Sequence, residues 1–128
     1  MKEITIAGGG LAGLSLGIAL RQEGVPVTLH EAGSYPRHRV CGEFINGVSR
    51  ETLARLGIAD VLEGALRHHE TNWFVGSEHV FHGDLVKPAV GVSRCWLDEE
   101  LAARFVRLGG DLQTRSRQQA EAAEGFVW

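Results

Sequence analysis

The sequence predicts an α/β domain in which crossover helices build a parallel sheet, and three observations carry that expectation. A short β-branched run, Ile4-Thr5-Ile6, leads straight into a glycine-rich turn. After the turn the pattern changes to helical periodicity, with Leu11, Leu14, Ser15, Ile18 and Ala19 on one face and Gly24 at the end. A second apolar run, Val25 to His30, then follows. Strand, tight turn, helix and strand within about 30 residues make a βαβ unit, whose crossover is right-handed.

Taken in order, Glu3 to Ala7 reads as a buried parallel strand, Leu11 to Glu23 as its crossover helix and Val25 to His30 as the neighbouring strand. Beyond Glu31 the segment "AGSYPRHRVCGEFING" mixes glycine, proline and basic residues and reads as a loop. Ser49 with Thr52, Leu53 and Leu56 predicts a short helix closed by Gly57, and Ile58 to Leu66 a further short helical turn. "TNWFVGSEHVFHG" has two β-rich halves around Gly76-Ser77 and predicts a hairpin, with Trp73, Phe74 and Phe81 in its core. Val90 to Arg94 reads as another strand. The stripe Leu97, Leu101, Phe105 and Leu108 places a helix over Asp98 to Leu108, stopped by Gly109-Gly110. "DLQTRSRQQ" reads as a strand, and Phe126-Val127-Trp128 as the start of one whose partner is missing, so a fragment of a longer product is expected.

Bulk properties narrow the class of partner. The 128 residues are 44% hydrophobic and 23% charged, the balance of a soluble domain with a core. A formal net charge of -3 without a dense basic block gives no footprint for nucleic acid or an anionic membrane, leaving a small molecule as the expected partner. The uncharged run from Ile4 to Leu20 crudely imitates a signal peptide after Lys2, but it carries five glycines and falls short of a membrane span. Cys41 and Cys95 lie far apart, with neither metal-ligand nor disulfide-framework spacing, which suits a reducing cytoplasm.

Gly8, Gly10 and Gly13 satisfy G-x-G-x-x-G between a predicted strand and a predicted helix. Gly8 permits the tight turn, Gly10 removes a Cβ so that a pyrophosphate can reach the backbone, and Gly13 lets helix and strand pack closely. Phosphates would then sit at the helix N-terminus, against unpaired N–H groups and the positive end of the dipole. A P-loop is excluded, because Leu11-Ala12-Gly13-Leu14 offers no Gly-Lys-Ser/Thr. Glu31, eighteen residues past Gly13 at the end of the second strand, is placed to accept both adenosine ribose hydroxyls and to repel a 2′-phosphate. The expected fold is therefore a Rossmann-like dinucleotide-binding domain. The motif alone does not separate NAD from FAD, although no second βαβ half appears after Glu31, which disfavours an NAD-dependent dehydrogenase.

The segments "YPRHRVCGEF" and "GVSRCWLDEELAARFVRLGGDL" add a resemblance. With the glycine loop and Glu31, they resemble the N-terminal part of FAD-dependent oxidoreductases of the aromatic-hydroxylase, geranylgeranyl-reductase and flavin-halogenase superfamily. The resemblance covers nearly the whole chain. It implies a three-layer FAD/NAD(P)-binding fold over residues 1–128, with residues near 70–90 beginning the substrate-side sheet. It implies FAD as cofactor and NAD(P)H as a transient reductant for monooxygenase or reductase chemistry. Gly8, Gly10, Leu11, Ala12 and Gly13 would line the pyrophosphate and Glu31 the ribose. Arg39 with the Val40-Cys41-Gly42-Glu43 turn would lie along the flavin side, and Arg94 would reach the phosphate or ribityl region. The family's later Gly-Asp element has no match here, since Gly83-Asp84 and Gly110-Asp111 come too early.

Each residue also has a plainer reading. Arg39 could be a solvated loop charge, as Arg37 and His38 beside it are expected to be. Cys41 could be a small buried residue next to a turn glycine. The pairs His68-His69 and His79/His82 lack companions at metal-ligand spacing, so no metal site is expected. A different class of function also fits the open C-terminal strand: a truncated, non-catalytic nucleotide-binding or interaction module whose last strand is covered by a partner chain.

Overall fold

In a computed structural model of the chain, residues 2–41 and 43–118 are described. Two three-stranded sheets organise them. The first holds β1 (Ile4–Ala7), β2 (Val27–Glu31) and β6 (Asp111–Thr114) in the order β1-β2-β6, all parallel. The second is antiparallel, in the order β3-β5-β4, with β3 Phe44–Ile45, β4 Leu66–Val75 and β5 Glu78–Gly91. α1 (Leu11–Gln22) connects β1 to β2, α2 (Arg50–Arg55) and a 3₁₀ turn (Asp60–Leu62) follow β3, and α3 (Arg94–Arg107) leads into β6.

The core lies between the parallel sheet and the two long helices. Leu14 and Ile18 of α1, Leu29 of β2, and Leu97, Leu101 and Phe105 of α3 are all buried. Gly17 makes the approach of α1 to α3 possible, because a Cβ there would meet the Phe105 ring. Along β2 burial alternates, and Val27, Leu29 and Glu31 share the inward face, as the two-residue period of a strand requires. The last of these inward positions is thus a carboxylate rather than an apolar side chain. Pairings Ala7↔His30 and Glu31↔Thr114 bring the carboxyl ends of all three strands to the same end of the sheet as the glycine turn. Ligands of open α/β sheets bind at that end.

The βαβ unit follows the sequence closely, while several other expectations are corrected. β1 lies at one edge of the described sheet, and only Ile6 of it is buried. The hairpin extends well past the expected segment, and Val90 belongs to the end of its second strand rather than starting a new one. Leu66 begins β4, so the helical turn before it is confined to Asp60–Leu62. Phe44–Ile45, read as loop, pairs with Gly91 and Val90. Trp73, Phe74 and Phe81 are exposed rather than buried; Trp73 packs edge-on against Phe81 across the strands. α3 begins at Arg94, four residues before the expected start at Asp98. The expected strand at Phe126-Val127-Trp128 lies outside the described residues.

Candidate cofactor-binding site

The turn between β1 and α1 is built to leave backbone donors free. Gly8 stands at φ +105°, a conformation that side chains rarely adopt, and its N–H continues the ladder to His30 O at 2.8 Å. Gly10 is the N-cap of α1, with no side-chain hydrogen bond and no acid in the first turn. The first intrahelical bond at this end runs from Leu14 N–H to Gly10 O, at 3.0 Å. That leaves the N–H groups of Leu11, Ala12 and Gly13 as the unpaired donors of the helix end. The Leu11 and Ala12 side chains themselves turn to an apolar cleft of about 260 Å³ shared with Leu53, Leu97 and Leu101. What these two residues can offer a phosphate is backbone.

The glycines divide into two kinds. A Cβ on Gly13 would collide with the Gly8 carbonyl and crowd Ile6, so this glycine is required by the packing of turn on helix. A Cβ on Gly10 would meet nothing within 4 Å, so this glycine is not required by the protein's own packing. It keeps clear the space in front of the free N–H groups. Gly9 was not singled out by the sequence pattern, yet a Cβ there would strike Glu31 and the Tyr35 hydroxyl.

Glu31 is 3% exposed and is the hub of the site. Its Oε2 accepts from Gly9 N–H at 2.8 Å and its Oε1 from Gly33 N–H at 2.7 Å, and Arg37 Nη2 forms an ion pair with Oε1 at 2.7 Å. Arg39 Nη2 lies 3.5 Å from Oε2. Burial raises the cost of its charge, but the Gly33 and Gly9 N–H groups, and then Arg37 and Arg39, outweigh it and hold the carboxyl below its ordinary value. Glu31 is an anion here. Tyr35 donates its hydroxyl to the Gly9 carbonyl. Burial, followed by the charges of Glu31 and Asp98, pushes that hydroxyl up to about 12, which keeps it a donor.

Arg39 bridges two acids, with Nε donating to Asp98 Oδ2 at 3.0 Å while Nη2 faces Glu31. Arg94 donates to the same carboxylate through Nε, to Oδ1 at 3.0 Å, and through Nη2, to Oδ2 at 3.2 Å. The hydrogen bond to Asp98 raises the Arg94 guanidinium above its ordinary value, against a partial loss of hydration. Cys41 is exposed rather than buried; its sulfur accepts from Glu43 N–H at 3.4 Å and from Arg94 Nη1 at 3.8 Å. Glu43 in turn accepts the Arg94 N–H, at 3.3 Å, and so caps the start of α3. Gly42 lies outside the described residues.

Structure thus joins Gly8, Gly10, Leu11, Ala12, Gly13 and Glu31 at one sheet end and connects Glu31 through Arg39 and Asp98 to Arg94 and Cys41. Arg37, expected as a solvated charge, is an ion-pair partner of Glu31. Arg39 is likewise no free loop charge. Sequence reasoning missed Gly9, Tyr35, Arg37 and Asp98. Only Asp98 had a signal that could have found it, Arg94 and Asp98 standing at i,i+4 on a helix; nothing in the sequence marks Gly9, Tyr35 or Arg37. Among the described residues no group of three or more His, Cys, Asp or Glu is placed to hold a metal ion.

An uncapped helix end behind an open glycine, beside a buried ionised glutamate, fits the adenosine diphosphate half of a dinucleotide. Residues 1–123 match the family described as FAD binding domain. This chain belongs to that family. The FAD-binding domain is 36% identical over 123 residues to YetM of Bacillus subtilis (strain 168), named as a candidate FAD-dependent monooxygenase, covering 95% of this chain and 31% of YetM. It is 34% identical over 82 residues to squalene epoxidase erg1 of Schizosaccharomyces pombe (strain 972 / ATCC 24843), covering 64% of this chain and 17% of the epoxidase. The tetrameric form of 2-methyl-3-hydroxypyridine-5-carboxylic acid oxygenase superposes with a TM-score of 0.77 at 30% identity, over 91% of this chain and 32% of the oxygenase. The FAD-binding domain spans under a third of the curated relatives it matches. FAD is its cofactor.

Proposed function

We propose that this FAD-binding domain serves a flavin-dependent oxidoreductase of monooxygenase or reductase type, which takes its reducing equivalents from NAD(P)H and acts on a small organic molecule in the cytoplasm. The observation that carries the proposal is the end of α1: three free N–H groups behind Gly10, whose missing Cβ opens onto unfilled space. The similarity to YetM and to squalene epoxidase supports the choice of monooxygenase chemistry. Among the described residues no helix is long and apolar enough to cross a membrane.

Bound FAD supplies the redox chemistry, and the protein supplies binding, orientation and electrostatics. In this reading the backbone from Gly8 to Gly13 receives the pyrophosphate, with Leu11 and Ala12 contributing N–H groups. Glu31, held ionised, accepts the ribose hydroxyls. Arg39, Cys41 and Arg94 lie along the path from the pyrophosphate toward the flavin, and β4 and β5 begin the substrate side. Residues outside this chain complete the substrate site. The experiment is anaerobic reduction of the FAD-loaded parent protein: bleaching of the visible flavin band on adding NADH or NADPH is expected. A parent that binds FAD but is reduced by neither nucleotide rules out the proposed reductant, and a colourless parent that binds NAD overturns the reading altogether.

A further inference from the structure

Asp98 is 0% exposed and sits on α3 between Leu97 and Leu101, inside the apolar stripe that faces the core. A carboxylate so placed loses its hydration, and an apolar residue of similar volume often serves packing as well or better. What distinguishes Asp98 is what it holds. Its two oxygens take three guanidinium N–H groups: Arg94 Nε at 3.0 Å, Arg94 Nη2 at 3.2 Å and Arg39 Nε at 3.0 Å. Both arginines are gripped by their Nε edge, and the Nη1 group of each is left outside the grip. Arg39 extends the chain of charges to Glu31, and Arg94 extends it to Cys41. Glu31 and Asp98 against Arg37, Arg39 and Arg94 leave the cluster with one excess positive charge.

We propose that Asp98 is a positioning residue for the cofactor: from inside the core it fixes Arg39 and Arg94 in the free protein in the orientation in which they meet FAD. The inference rests on the reading that both arginines face FAD, and Asp98 acts only through them. Preformed side chains spare the complex the cost of ordering two long, flexible cations at the moment of binding. Glu31 and Asp98 share Arg39, so the ribose end and the flavin end of the site are tied by a single guanidinium.

The test is a double-mutant cycle read as FAD affinity, by quenching of flavin fluorescence on the intact chain. Asp98→Asn keeps the side-chain volume and removes the charge, and it is expected to weaken FAD by about tenfold, the cost of ordering two freed arginine side chains on binding. In an Arg39→Met/Arg94→Met background the same substitution is expected to change affinity less than twofold. An equal factor in both backgrounds, or no effect in the parent background, overturns the role of Asp98 while leaving the cofactor reading intact. Failure of the wild-type chain to take up FAD overturns both. A measurement on the wild type covers the case in which Asp98→Asn does not fold: the Nε–H resonances of Arg39 and Arg94 are expected to exchange slowly with solvent in the free chain and to stay protected when FAD is added. Fast exchange before FAD, or loss of protection with it, overturns the proposal.

Discussion

Replacing Gly10 by valine separates the cofactor's claim on the glycine turn from that of the fold. Gly10 has φ -86° and ψ -171°, an extended conformation that valine adopts, and its Cβ would meet nothing within 4 Å. The main cost to the free protein is a poorer N-cap, about 1 kcal/mol. In the proposed cradle the cost to the complex is far larger, because the isopropyl group would stand where the phosphate is to approach the N–H groups of Leu11, Ala12 and Gly13. Hydrogen bonds to a charged group contribute about 1.5–3 kcal/mol each, so losing two of them costs about 3–6 kcal/mol. At about 1.4 kcal/mol per decade, FAD affinity should fall by roughly 10²- to 10⁴-fold. Flavin fluorescence titration, paired with thermal unfolding of the ligand-free chain, reads both numbers. A folded Gly10→Val chain that binds FAD within threefold of wild type would refute the cradle.

The remaining expectations concern the groups around it. Gly13→Ala sets a Cβ against the Gly8 carbonyl, a backbone atom that cannot rotate away, and should destabilise the free chain by about 1–3 kcal/mol in denaturant unfolding, in contrast to Gly10→Val. Glu31 is held below its ordinary value, so its contribution to stability is complete above the pKa it has when unfolded and is lost as the pH falls through its lower folded pKa; Glu31→Gln should flatten that acid limb of the pH–stability curve. Phe105, fully buried against Gly17 and Gly110, should cost about 3–5 kcal/mol when cut to alanine, seen as a lowered midpoint in urea.

How far the sequence reaches differs between the two sheets. β1, α1 and β2 are legible because their signals are local: β-branched strands, a stripe at helical spacing, and glycines at the positions where a turn and a helix end need them. Glu31 is legible for the same reason, as the next inward residue after Val27 and Leu29. The hairpin is legible at its turn, Gly76-Ser77, but not over its full length, since His69, Glu70, Asn72, His79, His82 and Lys87 are exposed and interrupt the alternation that marks a half-buried strand. β3 is two residues long and exists only through its pairing with Val90 and Gly91. The start of α3 is hidden because Ser93 makes no side-chain cap and Glu43, fifty-one residues earlier, supplies the carboxylate instead.

Within the site, the backbone part was legible and the charge network was not. Spacing identified Gly8, Gly10 and Gly13; Gly8 has its reason in a positive φ and Gly13 in its contact with the Gly8 carbonyl, while nothing in the protein's own packing requires Gly10. Arg37 and Arg39 looked like solvent charges, because nothing in the neighbouring sequence announces the acids they meet. Asp98 lies 59 residues from Arg39 and in an apolar stripe, so the pair becomes visible only when α3 packs beside the loop.

The most direct test of the cofactor cradle is a map of backbone amide shifts as FAD is titrated into the chain. Saturable binding at one site is expected, with the largest shifts at Leu11, Ala12 and Gly13 and a further set at Gly9 and Glu31. Saturable shifts centred on β4 and β5, with the amides of Leu11, Ala12 and Gly13 unmoved, would contradict the account.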